Sequence, residues 1–418
     1  MTHESHLWTP GSTPPPIRAH SVEKHRLLRA YLERYVATLT QNIRVECLPL
    51  TLIDGFAGGN IYIDEITGDI RPGSPTIILD AMREAERVAN EKRSKPFKLI
   101  DHYFFIEKHR GAFESLETTL KSSGYAKHIE DRIITLLNDD FVAHSGRIID
   151  FINQKSRPGR SIFILDQCGY SGVPFECIRN ILASVLNAEI ILTFAVDYLI
   201  DYLSNERPNR KLLNNPELDL DSLGSKLEKT DPRWRRLIQL DLHRHLQENT
   251  NAKFFTPFFI HSKDAHRDLW LVHLSRHHRA RDVMVGVHWE HQNSFAHYCK
   301  PGLKMLGYRP DEDVLVTGQP YFPGFYFDGK ARALTKDSLC EELPRLICDK
   351  FQAVDFKTLF SSISNETPAT SQILREVLHD LADDRRVTIK DESGLTLRRA
   401  GIQHDSDVIF VHRQRRLF

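Results

Sequence analysis

The sequence predicts an α/β protein: a doubly wound, mostly parallel sheet carrying a helical insertion, followed by a small C-terminal winged helix. Three observations predict it. Five short apolar runs alternate with helical stretches, two further apolar runs flank a polar turn, and the tail reads helix, helix, β-wing.

The elements follow in order. "MTHESHLWTPGSTPPPIRAH" is polar and Pro-rich and reads as a flexible N-terminus, residues 1–20, without the charged-then-apolar order of a signal peptide. "SVEKHRLLRAYLERYVATLTQN" is an amphipathic helix with Leu27, Leu28, Tyr31, Tyr35 and Leu39 on one face and Ser21 as its cap. The strands are "LPLTLID", "DHYFFIE", "RIITLLND", "SIFILDQ" and "AEIILTFAV". Each is nearly continuously apolar, as strands buried on both faces of a parallel sheet should be. Between them lie the helices "SPTIILDAMREAERVANE", "HRGAFESLETTLKSSG", "HSGRIIDFINQ" and "PFECIRNILASVLN". Right-handed crossovers then bring the loops after the strands to one edge, where ligands bind.

After the fifth strand the chain becomes charged and helical, which predicts an insertion over 198–248. "FFTPFFIH" and "LWLVHLS" form a hairpin around a polar turn, and "ARDVMVGVHWEH" is a helix. This α/β domain spans 21–294, with a hairpin around Thr67-Gly68 separating its first loop from a helix capped by Ser74. A connector covers 295–340 and the winged helix 341–418. In the latter, Thr370 caps a helix with Ile373, Leu374, Val377, Leu378 and Leu381 on one face, and a hairpin turns at Ser393-Gly394.

Composition narrows the function. The 418 residues carry zero formal net charge, so no global field draws the chain to DNA or an acidic membrane. No apolar run approaches the ~18 residues a membrane span needs. The six cysteines are scattered and form no CxxC pair, which suits the cytoplasm and argues against a zinc or disulfide framework. The histidines His261, His266, His273, His277, His278, His288 and His291 form no HExxH, and no metal is expected.

The first strand runs into "IDGFAGGN". A nicotinamide fingerprint needs G-x-G-x-x-G directly after the strand, and G-x-G is missing. Asp54-Gly55-Phe56-Ala57-Gly58-Gly59 instead looks like motif I of class I methyltransferases that use S-adenosylmethionine (SAM). There the glycines admit close backbone approach and Asp54 receives the ammonium group. A tight turn is the plainer reading of the glycines alone. The later strand ends add acids. Glu107 suits ribose hydroxyls. Asp139 suits the adenine amino group, with Asp140 as its competitor and a helix cap open to both. Asp166 closes the fourth strand, four residues before Tyr170. Amino-group methyltransferases often carry Asp/Asn-Pro-Pro-Tyr at this place, to accept the target N–H bonds and stack a base. Here Asp166 and Tyr170 take those roles, but Gln167 and Cys168 replace the prolines; Cys168 reads as a buried thiol.

Taken together, "KHRLLRAYL", "IDGFAGGN", "RPGSPTIIL", "FFIEKHRGAFESLE", "FILDQCGYSGVP" and "LVHLSRHHRARDVMVGVHW" resemble the three-Cys-motif partner (TcmP) family. The resemblance implies a class I methyltransferase-like fold with sheet order 3-2-1-4-5-7-6. It also implies a partner protein bearing a three-cysteine motif, and a role in phage defence or mobile-element biology. "LDQCGY" departs from the Pro-Phe-Gly version of many relatives.

For nucleic acid, Arg233, Trp234, Arg235 and Arg236 place basic side chains around an aromatic, as phosphate contact with base stacking requires. A snorkelling helix face explains them as well. Arg398 and Arg399 on the wing are the better DNA or RNA candidates, since Gln372, Arg375, Glu376, His379, Asp380 and Asp383 give the preceding helix mixed signs. The expectation is a SAM-dependent methyltransferase-like protein acting on nucleic acid. The alternative is a non-catalytic module that binds its protein partner or nucleic acid.

Overall fold

The computed structural model describes Trp8 and residues 12–91, 93–154, 159–166, 172–194, 248–262, 267–291, 302–303, 327–397 and 401–411. The chain divides into two compact units, Met1–Val283 and Met284–Phe418. The predicted insertion over 198–248 lies almost wholly outside the described residues.

The first unit is built on seven strands: β1 (Cys47–Asp54), β4 (Lys98–Ile106), β5 (Ile134–Leu137), β6 (Arg160–Leu165), β7 (Ala188–Phe194), β8 (Phe254–Ser262) and β9 (Arg267–Ser275). Their order is β5-β4-β1-β6-β7-β9-β8. Counted along the sheet strands alone, this is 3-2-1-4-5-7-6. The first five strands pair in parallel, and β9 runs antiparallel to both β7 and β8. The unit therefore has the sheet of a class I methyltransferase. A nicotinamide Rossmann sheet does not end in that antiparallel pair.

Apolar strand residues such as Ile53, Phe104, Ile106, Phe163, Leu165, Ile190 and Leu192 share one buried core with α5 (Phe141–Asn153) and α6 (Phe175–Ser184). Helices α1 (Ala19–Leu39) and α2 (Ser74–Asn90) pack on each other. The helix α3 (Arg110–Leu120) passes through a π-turn at Lys121–Tyr125 into α4 (Ala126–Glu130), and α7 (His278–His291) follows β9.

Two caps differ from expectation. α1 starts at Ala19, before Ser21, and its N-cap residue Arg18 makes no side-chain capping bond. The N-cap of α2 is Gly73 rather than Ser74. Asn60 does the capping from a distance: its Oδ1 accepts the Thr76 N–H at 3.0 Å and its Nδ2 donates to Thr76 Oγ1 at 2.8 Å. To do so Asn60 adopts a left-handed φ of 60°, a region Asn tolerates better than most residues. The hairpin around Thr67-Gly68 is present as β2 (Ile61–Ile63) and β3 (Ile70–Pro72), with Gly68 at φ 73°. The N-terminal stretch is tied to it. Ile63 N–H donates to Pro15 O at 3.1 Å and Ile17 N–H to Ile63 O at 2.9 Å.

A buried polar network fastens α1 to the sheet. The Tyr31 hydroxyl donates to Glu189 Oε2 and lies 3.1 Å from His273 Nε2, which is itself 3.1 Å from Glu189 Oε2. Burial, then the neighbouring Glu189 charge, raises the Tyr31 hydroxyl well above its ordinary pKa, so Tyr31 is a donor here.

In the second unit, α8 (Gly329–Lys350), β10 (Ala353–Asp355), α9 (Phe356–Ile363), α10 (Ser371–Asp383), β11 (Val387–Lys390) and β12 (Val408–Val411) enclose their own core. Ile373, Leu374, Val377, Leu378 and Leu381 are all buried, and Thr370 accepts the Ile373 N–H, as the spacing predicts. The 340/341 boundary falls inside α8. The wing also differs from a simple hairpin: Lys390 and Thr396 make a single bridge across the turn, and β11 takes β12 as its ladder partner. The sheet order β10-β12-β11 depends on pairings of four residues or fewer, which leave no periodic signal in the sequence.

Candidate functional site

The loop after β1 is stitched down by its backbone. Gly55 N–H donates to Ile164 O and Ala57 N–H to Ile106 O, both at 2.9 Å, which fixes the loop over the ends of β4 and β6. The glycines are explained residue by residue. A Cβ at Gly55 would meet Leu165 at 2.9 Å and Phe141 at 3.0 Å. Gly58 sits at φ 60°, and its open side faces the Trp8 ring and the Tyr62 hydroxyl. A Cβ at Gly59 would fall inside the Trp8 indole. Backbone closeness is used here, and the group that uses it at Gly58 and Gly59 is the protein's own Trp8. Phe56 is partly buried and packs on the core that contains Phe141 and Leu165.

The structure brings Asp54, Glu107, Asp139 and Asp166 to one edge of the sheet, at or just past the ends of β1, β4, β5 and β6. Their environments differ. Asp54 is fully buried; its Oδ1 accepts the Phe56 N–H at 3.1 Å and its Oδ2 has no hydrogen-bond partner. Burial pushes its carboxyl up to about 7, against the pull of the nearby Ser74 hydroxyl and the Phe56 N–H, while the charges of Asp166 and Glu107 push it further up. Glu107 holds the loop in place: Oε2 accepts the Gly58 N–H at 2.9 Å and Oε1 the His109 N–H at 2.7 Å.

The helix cap, open to both Asp139 and Asp140 in the sequence, falls to Asp140. Asp140 is the N-cap of α5, accepting the Val142 N–H at 2.9 Å. Asp139 is exposed and lies 3.0 Å from His144 Nε2; the Asp140 N–H and then His144 hold its carboxyl below the ordinary range. Asp166 meets a residue that local pattern did not reveal. Lys24 of α1 donates to both its oxygens, at 2.6 and 2.5 Å. Burial raises the Asp166 carboxyl, but the Lys24 charge and hydrogen bond, with help from Thr193, outweigh it and leave the pKa lowered. Beside Lys24, burial and the Lys24 charge hold His25 down at about 4, so its imidazole is neutral at physiological pH. Its ring lies 6.2 Å from that of Tyr62.

Gln167, Cys168 and Tyr170 lie outside the described residues, as do Arg233, Trp234, Arg235, Arg236, Arg398 and Arg399. Among the expected histidines, His273 belongs to the Tyr31 network, and His277 stacks on His278 with ring centroids 4.4 Å apart. No group of three or more metal-ligating side chains occurs among the described residues. No helix among them is long and apolar enough to cross a membrane.

In the second unit, the polar face of α10 is largely engaged within the unit. Arg375 donates to Ile402 O at 3.1 Å and to Asp405 at 2.6 Å, and its guanidinium lies 4.0 Å from the Phe356 ring centroid. Glu376 pairs with Arg332 at 2.6 Å and Asp380 with Lys336 at 3.0 Å. A cavity of about 350 Å³ lies beside these groups, bordered also by His379 and Gly401. A family model described as a GMT-like wHTH domain matches residues 307–394. The second unit is a winged helix. Its third helix is α10 and its wing lies between β11 and β12.

No curated protein matches the chain. Solved structures overlap it in part. A Legionella pneumophila protein of the DUF519 family model is 12% identical, with a TM-score of 0.35 over 60% of this chain and 84% of that one. A SAM-dependent methyltransferase from Agrobacterium tumefaciens is 8% identical, with a TM-score of 0.30 over 62% of this chain. The chain covers 63% of that enzyme's length. The putative methyltransferase yhhF from Escherichia coli is 14% identical, with a TM-score of 0.26 over 63% of this chain and 90% of that one. The fold assignment rests on the strand order and its antiparallel β9.

Proposed function

We propose that the chain is a SAM-dependent methyltransferase acting on nucleic acid. The observation that carries this reading is the line of four carboxylates at the ends of consecutive strands in a 3-2-1-4-5-7-6 sheet. The residues fit the cofactor chemically. Asp54 keeps a buried oxygen without a partner, suited to an ammonium group. Glu107 has spent one acceptor site of each oxygen on the backbone and can still accept from ribose hydroxyls. Asp139 is exposed beside them and can accept from an adenine amino group. When bound, SAM supplies a sulfonium-activated methyl group.

Asp166 would orient the acceptor by exchanging its Lys24 contact for the target N–H, with Tyr170 stacking on the base. Lys24, released, stays close enough to hold the carboxylate ionised. Support for a nucleic-acid acceptor comes from the winged helix, together with the basic-aromatic pattern Arg233–Arg236 and the wing residues Arg398 and Arg399. Isothermal titration with SAM tests the cofactor, and transfer of a labelled methyl group to duplex DNA, single-stranded DNA and tRNA tests the acceptor. Pure folded protein that binds no SAM, alone or with nucleic acid, sinks the reading.

A second reading has its own observation. With both Asp166 oxygens held by Lys24, the chain also suits a non-catalytic module. That reading expects nucleic-acid or partner binding with no methyl transfer. The resemblance to three-Cys-motif partner proteins points to a partner carrying that motif and to phage defence or mobile-element biology; co-purification of the two proteins tests the pairing.

A further inference from the structure

The indole of Trp8 stands where a ligand of the glycine loop would have to approach. Its ring covers the open faces of Gly58 and Gly59. Its Nε1–H donates to Ile61 O at 2.8 Å, and it meets the Tyr62 ring edge-on with centroids 5.3 Å apart. The segment that follows is anchored to the same hairpin by the pairing of Pro15 and Ile17 with Ile63. The atoms nearest to a side chain at Gly59 all belong to Trp8. Asp54, at the start of this loop, is fully buried with one oxygen unsatisfied. Such an oxygen is tolerated poorly unless a partner arrives in another state.

We propose that Trp8 straps the glycine loop shut, its indole an autoinhibitory plug that must leave Gly58 and Gly59 before the cofactor can bind. The inference rests on the cofactor reading above. Among the described residues, one hydrogen bond and the ring contacts hold Trp8 down, a small interaction for a binding event to replace. A site closed about nine-tenths of the time binds its ligand about tenfold more weakly than the open form.

The test is isothermal titration of SAM into the full chain and into Trp8→Ala, with a variant lacking residues 1–11 as a second way to remove the plug. The plug predicts about tenfold tighter binding in both variants. It also predicts that the Trp8 fluorine resonance of 5-fluorotryptophan-labelled protein, assigned with Trp8→Phe, shifts at SAM saturation. Equal affinity in wild type and variants overturns the strap and leaves the cofactor reading standing. Weaker binding in the variants also overturns it, and makes Trp8 a wall of the site. If neither wild type nor variants bind SAM, the cofactor reading fails and the strap with it.

Discussion

Asp54→Asn tests the most unusual electrostatic feature of the loop. The carboxyl is fully buried, and its pKa is raised from 3.8 to about 7. Folding therefore takes up a proton between those values, and stability falls as pH rises from about 4 to about 7, then levels off. At about 1.4 kcal/mol per pH unit, the ionised carboxylate costs the fold on the order of 4 kcal/mol at pH 8. Asparagine preserves the acceptor for the Phe56 N–H and removes the charge. Urea unfolding at pH 8 should show the variant more stable than wild type by about 2–4 kcal/mol, with the gap closing towards pH 4. Other titrating groups are common to both proteins and cancel in the difference. A gap that does not change with pH would refute the claim that Asp54 is held protonated by burial.

Four further outcomes follow from the structure. Lys24→Met leaves Asp166 without its cation and should cost about 1–2 kcal/mol at pH 7, discounted because Asp166 is partly exposed. Since the Asp166 pKa is lowered in the fold, that loss should shrink as pH falls below about 4, which denaturation at pH 7 and pH 3 would show. Gly55→Ala drives a methyl into Leu165 and Phe141 and should destabilise by about 1–3 kcal/mol whatever stands at position 8. The Gly59→Ala methyl meets Trp8 first, so a double-mutant cycle with Trp8→Ala should recover most of its cost; additive losses would contradict the packing. In the winged helix, Arg375→Ala removes two hydrogen bonds and a stacked guanidinium and should lower that unit's stability by about 2 kcal/mol, read by thermal melting.

The sheet was legible because its strands are buried on both faces and separated by amphipathic helices, so composition alone marks each run. The acids at the strand ends were legible for the same reason: each follows an apolar run at once. Lys24 was not, because its partner is 142 residues away and a long-range ion pair has no local pattern. Asp139 and Asp140 could not be separated in the sequence, since either could cap α5; only the Val142 contact distinguishes them. The second cap was misplaced because Asn60 reaches α2 across a whole hairpin. In the tail, helix α10 carried strong periodicity, whereas β10 and β12 pair Val354 with Ile409 across most of the unit. The glycine loop was legible as a place of close backbone approach, but no local pattern named Trp8, whose ring lies against Gly58 and Gly59.

The Tyr31–Glu189–His273 network sets an order of assembly. Helix α1 leaves the ribosome first, but the acid and imidazole that satisfy Tyr31 arrive only with β7 and β9, the latter 242 residues later. Until β9 is laid down, Glu189 has no imidazole beside it and the far edge of β7 has no neighbour. Contacts this distant in sequence form late and slow the folding of the whole unit. A chain cut short before residue 267 would keep every residue of the glycine loop but leave the Tyr31–Glu189 pair without its imidazole, a nascent form that exposes the far edge of β7 to pairing with other chains.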